Sequence, residues 1–476
     1  TIIPLNTTYS WSAPVVTGGV TGGSSGSGGT ISGTLVNPTN AVQTATYMVT
    51  PTSGGCVGGT FTVTVTVNPK PVIPVQTSTI CSGGTFTISL TNGQPTSSTI
   101  IPLNTTYSWS APVVTGGVTG GSSGSGGTIS GTLVNPTNAV QTATYTVTPT
   151  SGASGNCVGS TFTVTVTVSP KPSIGDKTAE ICSGNSFTVS PSNGVGGDIV
   201  PGGTLYTWTV VDNPNVSGDV NETSASSNIS QTLVNVTNAV QTVVYTVTPS
   251  VGGTCTGGTF SVTVTVNPKP VIPVQTRTIC SGESFDVSLV NAQPTTIIPL
   301  NTTYSWSAPV VTGGVTGGSS GSGGTISGTL VNPTNAVQTA TYTVTPTSGA
   351  SGNCVGSTFT VTVTVNPKPS VQAQATSSCS GAAFSFSPSN GGGNIVPVNT
   401  TYSWSAPVVT GGLTGGVLGS GGTISGTLVN PTNEVQTATY TVTPTSGSCV
   451  GGTFTFTVTV NPKPVIPAQT STICSG

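Results

Sequence analysis

The chain repeats itself at the length of a whole domain. Trp11, Trp109, Trp208, Trp306 and Trp404 recur about 98 residues apart, and residues 1–49 match residues 99–147 except that Met48 is replaced by Thr146. Solenoid repeats run to roughly 20–50 residues, so a period this long describes beads on a string rather than one continuous stack. The spacing divides the chain into a partial repeat at 1–69, whole repeats at 70–170, 171–268 (the most divergent), 269–367 and 368–462, and the first strand of a further repeat at 463–476.

Within a bead the hydrophobic period is two. In "TFTVTVTV", Phe61, Val63, Val65 and Val67 share one side and the threonines the other, as expected of strands with one face in a core and one in water. The same count groups Ala45, Tyr47 and Val49 and leaves Met48 outside, where exchange for threonine is harmless. Phe86, Ile88 and Leu90 point inward in "TFTISL", and Tyr9 falls beside Trp11 in "TYSWS". The five tryptophans are thus expected as core aromatics. No segment has the length and pattern of an amphipathic helix.

Short strands separated by Gly, Pro, Asn and Ser in about 100 residues predict an all-β fold of tandem immunoglobulin-like antiparallel sandwiches. In the second bead the strands are A in "VIPVQTSTI", B in "TFTISL", C in "TYSWS", E in "GTISGTLVN", F in "ATYTVTP" and G in "TFTVTVTV". The tract "TGGVTGGSSGSGG" between C and E is expected as a flexible surface loop or poorly ordered edge. No GK[ST] follows it, so it lacks the context of a phosphate cradle. "NPKP" at 68–71, "SPKP" at 169–172 and their later copies separate G of one bead from A of the next. Two prolines make that linker short, stiff and unable to extend a sheet, and the array an elongated rod.

Composition excludes several functions. Charged residues are 3% of the chain, histidine is absent and the net charge is −2. Raw material for acid/base catalysis, metal sites and cofactor binding is scarce, so neither an enzyme nor a bound cofactor is expected. Seven Lys and Arg give no basic field for nucleic acid, and no apolar run reaches the roughly 20 residues of a membrane span. Asp212, Asp219 and Glu222 form one loose acidic group, read as a solvated loop rather than a calcium site. Asn6, Asn104, Asn301 and Asn399 fit the N-glycosylation pattern, but a turn before strand C is the simpler reading. Low charge permits lateral or head-to-tail self-association into fibres, the other expected partners being neighbouring repeats.

Ten cysteines form five pairs with a constant gap of 25: Cys56 and Cys81, Cys157 and Cys182, Cys255 and Cys280, Cys354 and Cys379, Cys449 and Cys474. An even number with no CxxC or Cys/His cluster reads as disulfides in an oxidising, extracellular setting. A and G run down an immunoglobulin-like bead, while B and F run up. The "ICSG" turn between A and B then lies at the bottom and the "CVGG" turn between F and G at the top, on the order of 25 Å apart for eight residues. A disulfide needs Cα atoms within roughly 7 Å. End-to-end stacking would place the bottom of one bead on the top of the next, giving Cys81 to Cys255, Cys182 to Cys354 and Cys280 to Cys449. The alternative is a bond inside each bead: Cys81 to Cys157, Cys182 to Cys255, Cys280 to Cys354 and Cys379 to Cys449. Sequence leaves both open.

"TICSGGTFTISL", "TYSWSAP" and "NPTNAVQTATYMVTPTSGGCVGGTFTVTVTVNPKP" resemble the PKD-like and immunoglobulin-like tandem repeats of very large secreted surface proteins of Bacteroidota, including giant adhesins. The resemblance spans essentially the whole chain, although "YSWSAP" departs from the WDFGDG-like signature of standard PKD domains. It implies a β-sandwich, a cell-surface location and an adhesive or filament-forming structural role. A ligand- or glycan-binding repeat module is the alternative; it would require exposed aromatic platforms, whereas the alternation places the rings inward. The near-identity of the units reads as a window on a longer repetitive protein. Polymerisation through the C-terminal "VIPAQTSTICSG" is the competing reading, weakened because that strand alone would not replace a missing strand B.

Overall fold

The computed structural model describes residues 1–92 and 98–473, and β-strands dominate them. Among these residues the one helical element is a 3-10 turn at Val195–Gly197. The second bead shows the plan. Strand A is Gln76–Cys81, B is Thr85–Ile88, C is Thr106–Trp109, E is Ile129–Thr132, F is Gln141–Thr150 and G is Phe162–Ser169. One sheet runs in the order Gly124–Gly126, C, F, G, A, and B pairs with E in the other.

Two details differ from the sequence expectation. Of the two readings of the glycine-rich tract the edge holds, and as a regularly paired strand: Gly124–Gly126 is antiparallel to C. Its glycines let the indole of Trp109 lie against the backbone, since a Cβ on Gly124 would collide with the ring. The sandwich is also not wholly antiparallel, because A pairs with G in parallel, from Val164↔Gln76 to Ser169↔Cys81. Both run down the bead, so the strand that enters lies beside the strand that leaves.

Alternation builds the core. Phe162, Val164, Val166 and Val168 are buried with Ala143, Tyr145 and Val147 of F and with Phe86, Ile88 and Ile129 of the facing sheet. Tyr107 meets Phe162 edge-on at 6.4 Å, and Phe86 meets Tyr145 at 5.4 Å, separations at which aromatic pairs add to simple burial. The third, fourth and fifth beads repeat this cluster. As core aromatics the tryptophans divide. Trp208 and Trp404 are buried, whereas Trp11, Trp109 and Trp306 are only half-buried and pack on the core from its margin.

The linker is part of the packing. In the second-to-third bead junction Pro170 and Pro172 are both buried and Lys171 faces solvent. Asn6, Asn104, Asn301 and Asn399 all have positive φ, from 57° to 64°, in the turn that enters strand C, a conformation asparagine tolerates better than most residues.

Candidate functional site: the staple between beads

The chemistry-bearing groups of this chain are its cysteines, and two recurrent turns position them. At the bottom of a bead the A/B turn follows the cysteine as Cys-Ser-Gly. In the second bead Gly83 sits at φ 81° and its N–H donates to the Leu133 carbonyl at 2.8 Å, so a residue with a Cβ would be strained there. Ser82 N–H donates to the carbonyl of Ser169 at 2.9 Å, which ties the turn to the end of strand G. The Ser82 hydroxyl donates to the Asn135 carbonyl at 3.2 Å and accepts from the Asn135 N–H at 3.0 Å.

Asn135 is the hub of this corner. Its side-chain amide donates to the carbonyls of Ala139 and Val168, at 2.7 and 3.0 Å, while Oδ1 accepts from the N–H and hydroxyl of Thr137. A buried amide with every group engaged is stable, and one stripped of partners is expensive. Asn37, Asn235, Asn332 and Asn430 make the same bonds in the other beads. The fixed Asn-x-Thr after strand E, at one position in every repeat, was the available signal for this corner, which alternation alone does not reveal.

At the top of the bead the F/G turn is held against the incoming linker. In the third bead Gly257 N–H donates to the Pro249 carbonyl at 2.8 Å. A Cβ on Gly257 would strike the carbonyl of Pro172, the second proline of the linker entering that bead. Gly159, Gly356 and Gly451 stand in the same relation to Pro71, Pro270 and Pro369. Glycine two residues after the cysteine therefore lets the F/G turn close on the linker, bringing that cysteine to the junction with the preceding bead.

There it meets the A/B turn of that bead. Cys81 is bonded to Cys255, Cys182 to Cys354 and Cys280 to Cys449, with Cα separations of 5.4, 5.6 and 5.5 Å, inside the usual range for the bond. Each joins the bottom of one bead to the top of the next, across sequence separations of 174, 172 and 169. Bonds inside a bead do not occur among the described residues. Cys255, Cys280, Cys354 and Cys449 are buried. Cys56, Cys157 and Cys379 are unpaired; Cys474 lies outside the described residues.

Other polar groups are engaged locally. Asp219 accepts from Asn213 N–H and Glu222 from Ser224 N–H, and the described residues contain no group of three or more acidic, Cys or His side chains placed to hold a metal. In the third bead Lys177 Nζ lies 2.7 Å from Asp198 Oδ2, and the Gly175 N–H donates to Asp198 Oδ1. Burial pushes the Asp198 carboxyl up, but its bonds to Lys177 and Gly175 and the lysine charge outweigh this and hold it below the usual carboxylate range. No described helix is long and apolar enough to cross a membrane.

Structural neighbours are multidomain chains at low similarity. The human desmocollin-1 ectodomain is 11% identical over 90% of this chain and 87% of that one, with a TM-score of 0.22. The I67–I69 fragment of titin is 11% identical over 62% of this chain and 97% of its own, at 0.25. Three N-terminal domains of the bacteriophage RB49 outer capsid protein Hoc are 13% identical over 62% of this chain and 99% of theirs, at 0.27. No curated protein matches the chain. The sequence itself matches the PKD-like domain five times, at residues 3–71, 78–172, 179–270, 277–369 and 376–464. The chain therefore belongs to the PKD-like domain family, as a tandem array of five matched domains.

Proposed function

We propose that this chain is a non-catalytic structural segment of an extracellular stalk or filament on a bacterial surface, holding an adhesive or linking part at a distance from the cell. The observation that carries this reading is the disulfide across each fully stapled junction. A bond between consecutive beads adds little to any one core, but it opposes bending at the linker, as a spacer requires. Disulfides also persist in oxidising compartments outside the cytosol. The scarcity of charge is compatible with side-by-side association of such stalks.

Electron microscopy of arrays with different bead numbers tests the reading. With strands of eight to ten residues each bead adds about 30 Å, so contour length grows linearly with bead number and particles are stiff rods. Compact particles of constant aspect ratio would contradict it. Labelling of intact source cells with an impermeant antibody is expected to reach the repeat, and labelling only after lysis would refute the surface location.

A further inference from the structure

The three disulfides do more than tie each junction. Each of the first four intervals of 25 residues between successive cysteines, from 56–81 to 354–379, contains an F/G turn, a strand G, a proline linker and the strand A of the next bead. Residues 56–81 end on Cys81, which is bonded to Cys255. Residues 255–280 then end on Cys280, which is bonded to Cys449. Following covalent bonds alone, one track runs from 56 to 81, crosses to 255, continues to 280 and crosses to 449. A second track runs from 157 to 182 and crosses to 354, continuing to 379.

The two tracks lie side by side. In the second bead strand A, Gln76–Cys81, belongs to the first track and strand G, Phe162–Ser169, to the second, and they pair in parallel. The roles exchange in the third bead, where Lys177–Cys182 pairs with Phe260–Asn267. They exchange again in the fourth, with Gln275–Cys280 on Phe359–Asn366, and in the fifth, with Gln374–Cys379 on Phe454–Asn461. Strands B to F branch from this pair and lie on neither track.

We infer that the array is a load-bearing cable, in which tension along the rod passes through disulfide-joined G-linker-A tracks, paired side by side, and bypasses strands B to F of the stapled beads. Pulling on the ends of an ordinary tandem array loads each domain in series and unfolds it. Here the segments between Cys81 and Cys255 and between Cys280 and Cys449 are closed loops, and force on the ends cannot extend them. The fixed cysteine spacing follows, because each interval is one link. This mechanical property holds whatever the stalk carries, and it can fail without affecting the proposed location or length.

Single-molecule force spectroscopy on the 476-residue chain, tethered at its two ends, tests the inference. Oxidised, the chain is expected to extend only through its first bead, the links and the tail. Adding dithiothreitol to the folded, tethered chain then releases on the order of 1,000 Å more, taking roughly 3.3 Å per residue for the two loops. Two variants separate the tracks. Cys255→Ser opens the first track and gives an intermediate extension, since Cys280 to Cys449 and Cys182 to Cys354 still close loops. The paired Cys182→Ser and Cys354→Ser substitutions open only the second track and leave the end-to-end extension of the oxidised chain unchanged. Bead-by-bead unfolding of the oxidised chain to the same length as the reduced chain would overturn the inference, as would a longer extension on opening the second track alone.

Discussion

The first and second beads have nearly the same sequence from strand C to strand F but different surroundings. In the second bead strand A covers the outer edge of G and strand B pairs with E. In the first, Phe61–Val67 pairs only with F among the described residues. Phe162 is 5% exposed and its counterpart Phe61 43%; Val166 is 0% exposed and Val65 37%. Strand F barely responds: Val147 and Val49 are both fully buried, and Tyr145 and Tyr47 nearly so. The edge-on ring pair persists too, with Tyr9 and Phe61 at 6.2 Å. Strands C, F and G thus shape the sheet by themselves, and A and B make one face of it into a closed core.

The largest contrast is expected from a charge placed on strand G. Val166→Asp buries a carboxylate with no partner and is expected to cost more than about 4 kcal/mol, enough to unfold the second bead. Val65→Asp, at the same register on a half-open face, is expected to cost less than about 1 kcal/mol. Bead-resolved hydrogen exchange reads both, and equal losses would break the comparison. Next in size is truncation of the ring at the start of G. Phe162→Ala is expected to cost about 3–5 kcal/mol, and Phe61→Ala less than half of that, by denaturant titration of each bead followed through its own peptides.

The corner asparagine sharpens the comparison from the other side. Asn37 makes the same side-chain bonds as Asn135 without an A/B turn beside it. Asn37→Ala and Asn135→Ala are therefore expected to lose similar amounts, about 1–3 kcal/mol each; a loss confined to the second bead would show that the corner depends on strands A and B.

The smallest effect is one of pH, and it singles out the third bead, the site of the Lys177 and Asp198 pair. Because the Asp198 carboxyl titrates lower in the folded bead than in the unfolded chain, its contribution is full above the ordinary aspartate range and is lost as pH falls through the lowered value. Melting of the third bead is expected to drop on acidification more than that of the second, and Asp198→Asn is expected to narrow the difference, leaving the part due to Asp176, whose carboxyl is held low by the Ser261 N–H.

Strand positions were legible because threonine and valine alternate so strictly that "TFTVTVTV" admits one assignment of faces. Met48 on the outside and Phe86 and Ile88 on the inside follow from the same count. The glycine strand at Gly124–Gly126 escaped that reading, since glycine carries no hydrophobic period. What marks it is the indole of Trp109 across from it, a contact made only in three dimensions. The Asn135 corner was hidden for a related reason: a polar side chain satisfied by backbone groups leaves no pattern of its own, only recurrence at a fixed place in each repeat. Between two disulfide connectivities spacing could not decide, because both draw on the same evenly spaced cysteines. That choice depends on which turns share an end of the bead, and hence on the parallel pairing of A with G.

Disulfide-intact digestion followed by mass spectrometry reads the staple between beads itself, and the divergent third bead makes its peptides distinguishable. The Cys182 peptide, "TAEICSGN", is expected to be joined to the Cys354 peptide, told from its Cys157 copy by "TVTVNPKPS" in place of "TVTVSPKPS" downstream, and that of Cys255, "GGTCTGG", to that of Cys81. A Cys182 peptide joined to that of Cys255 would close the third bead on itself and rule out the staple between beads.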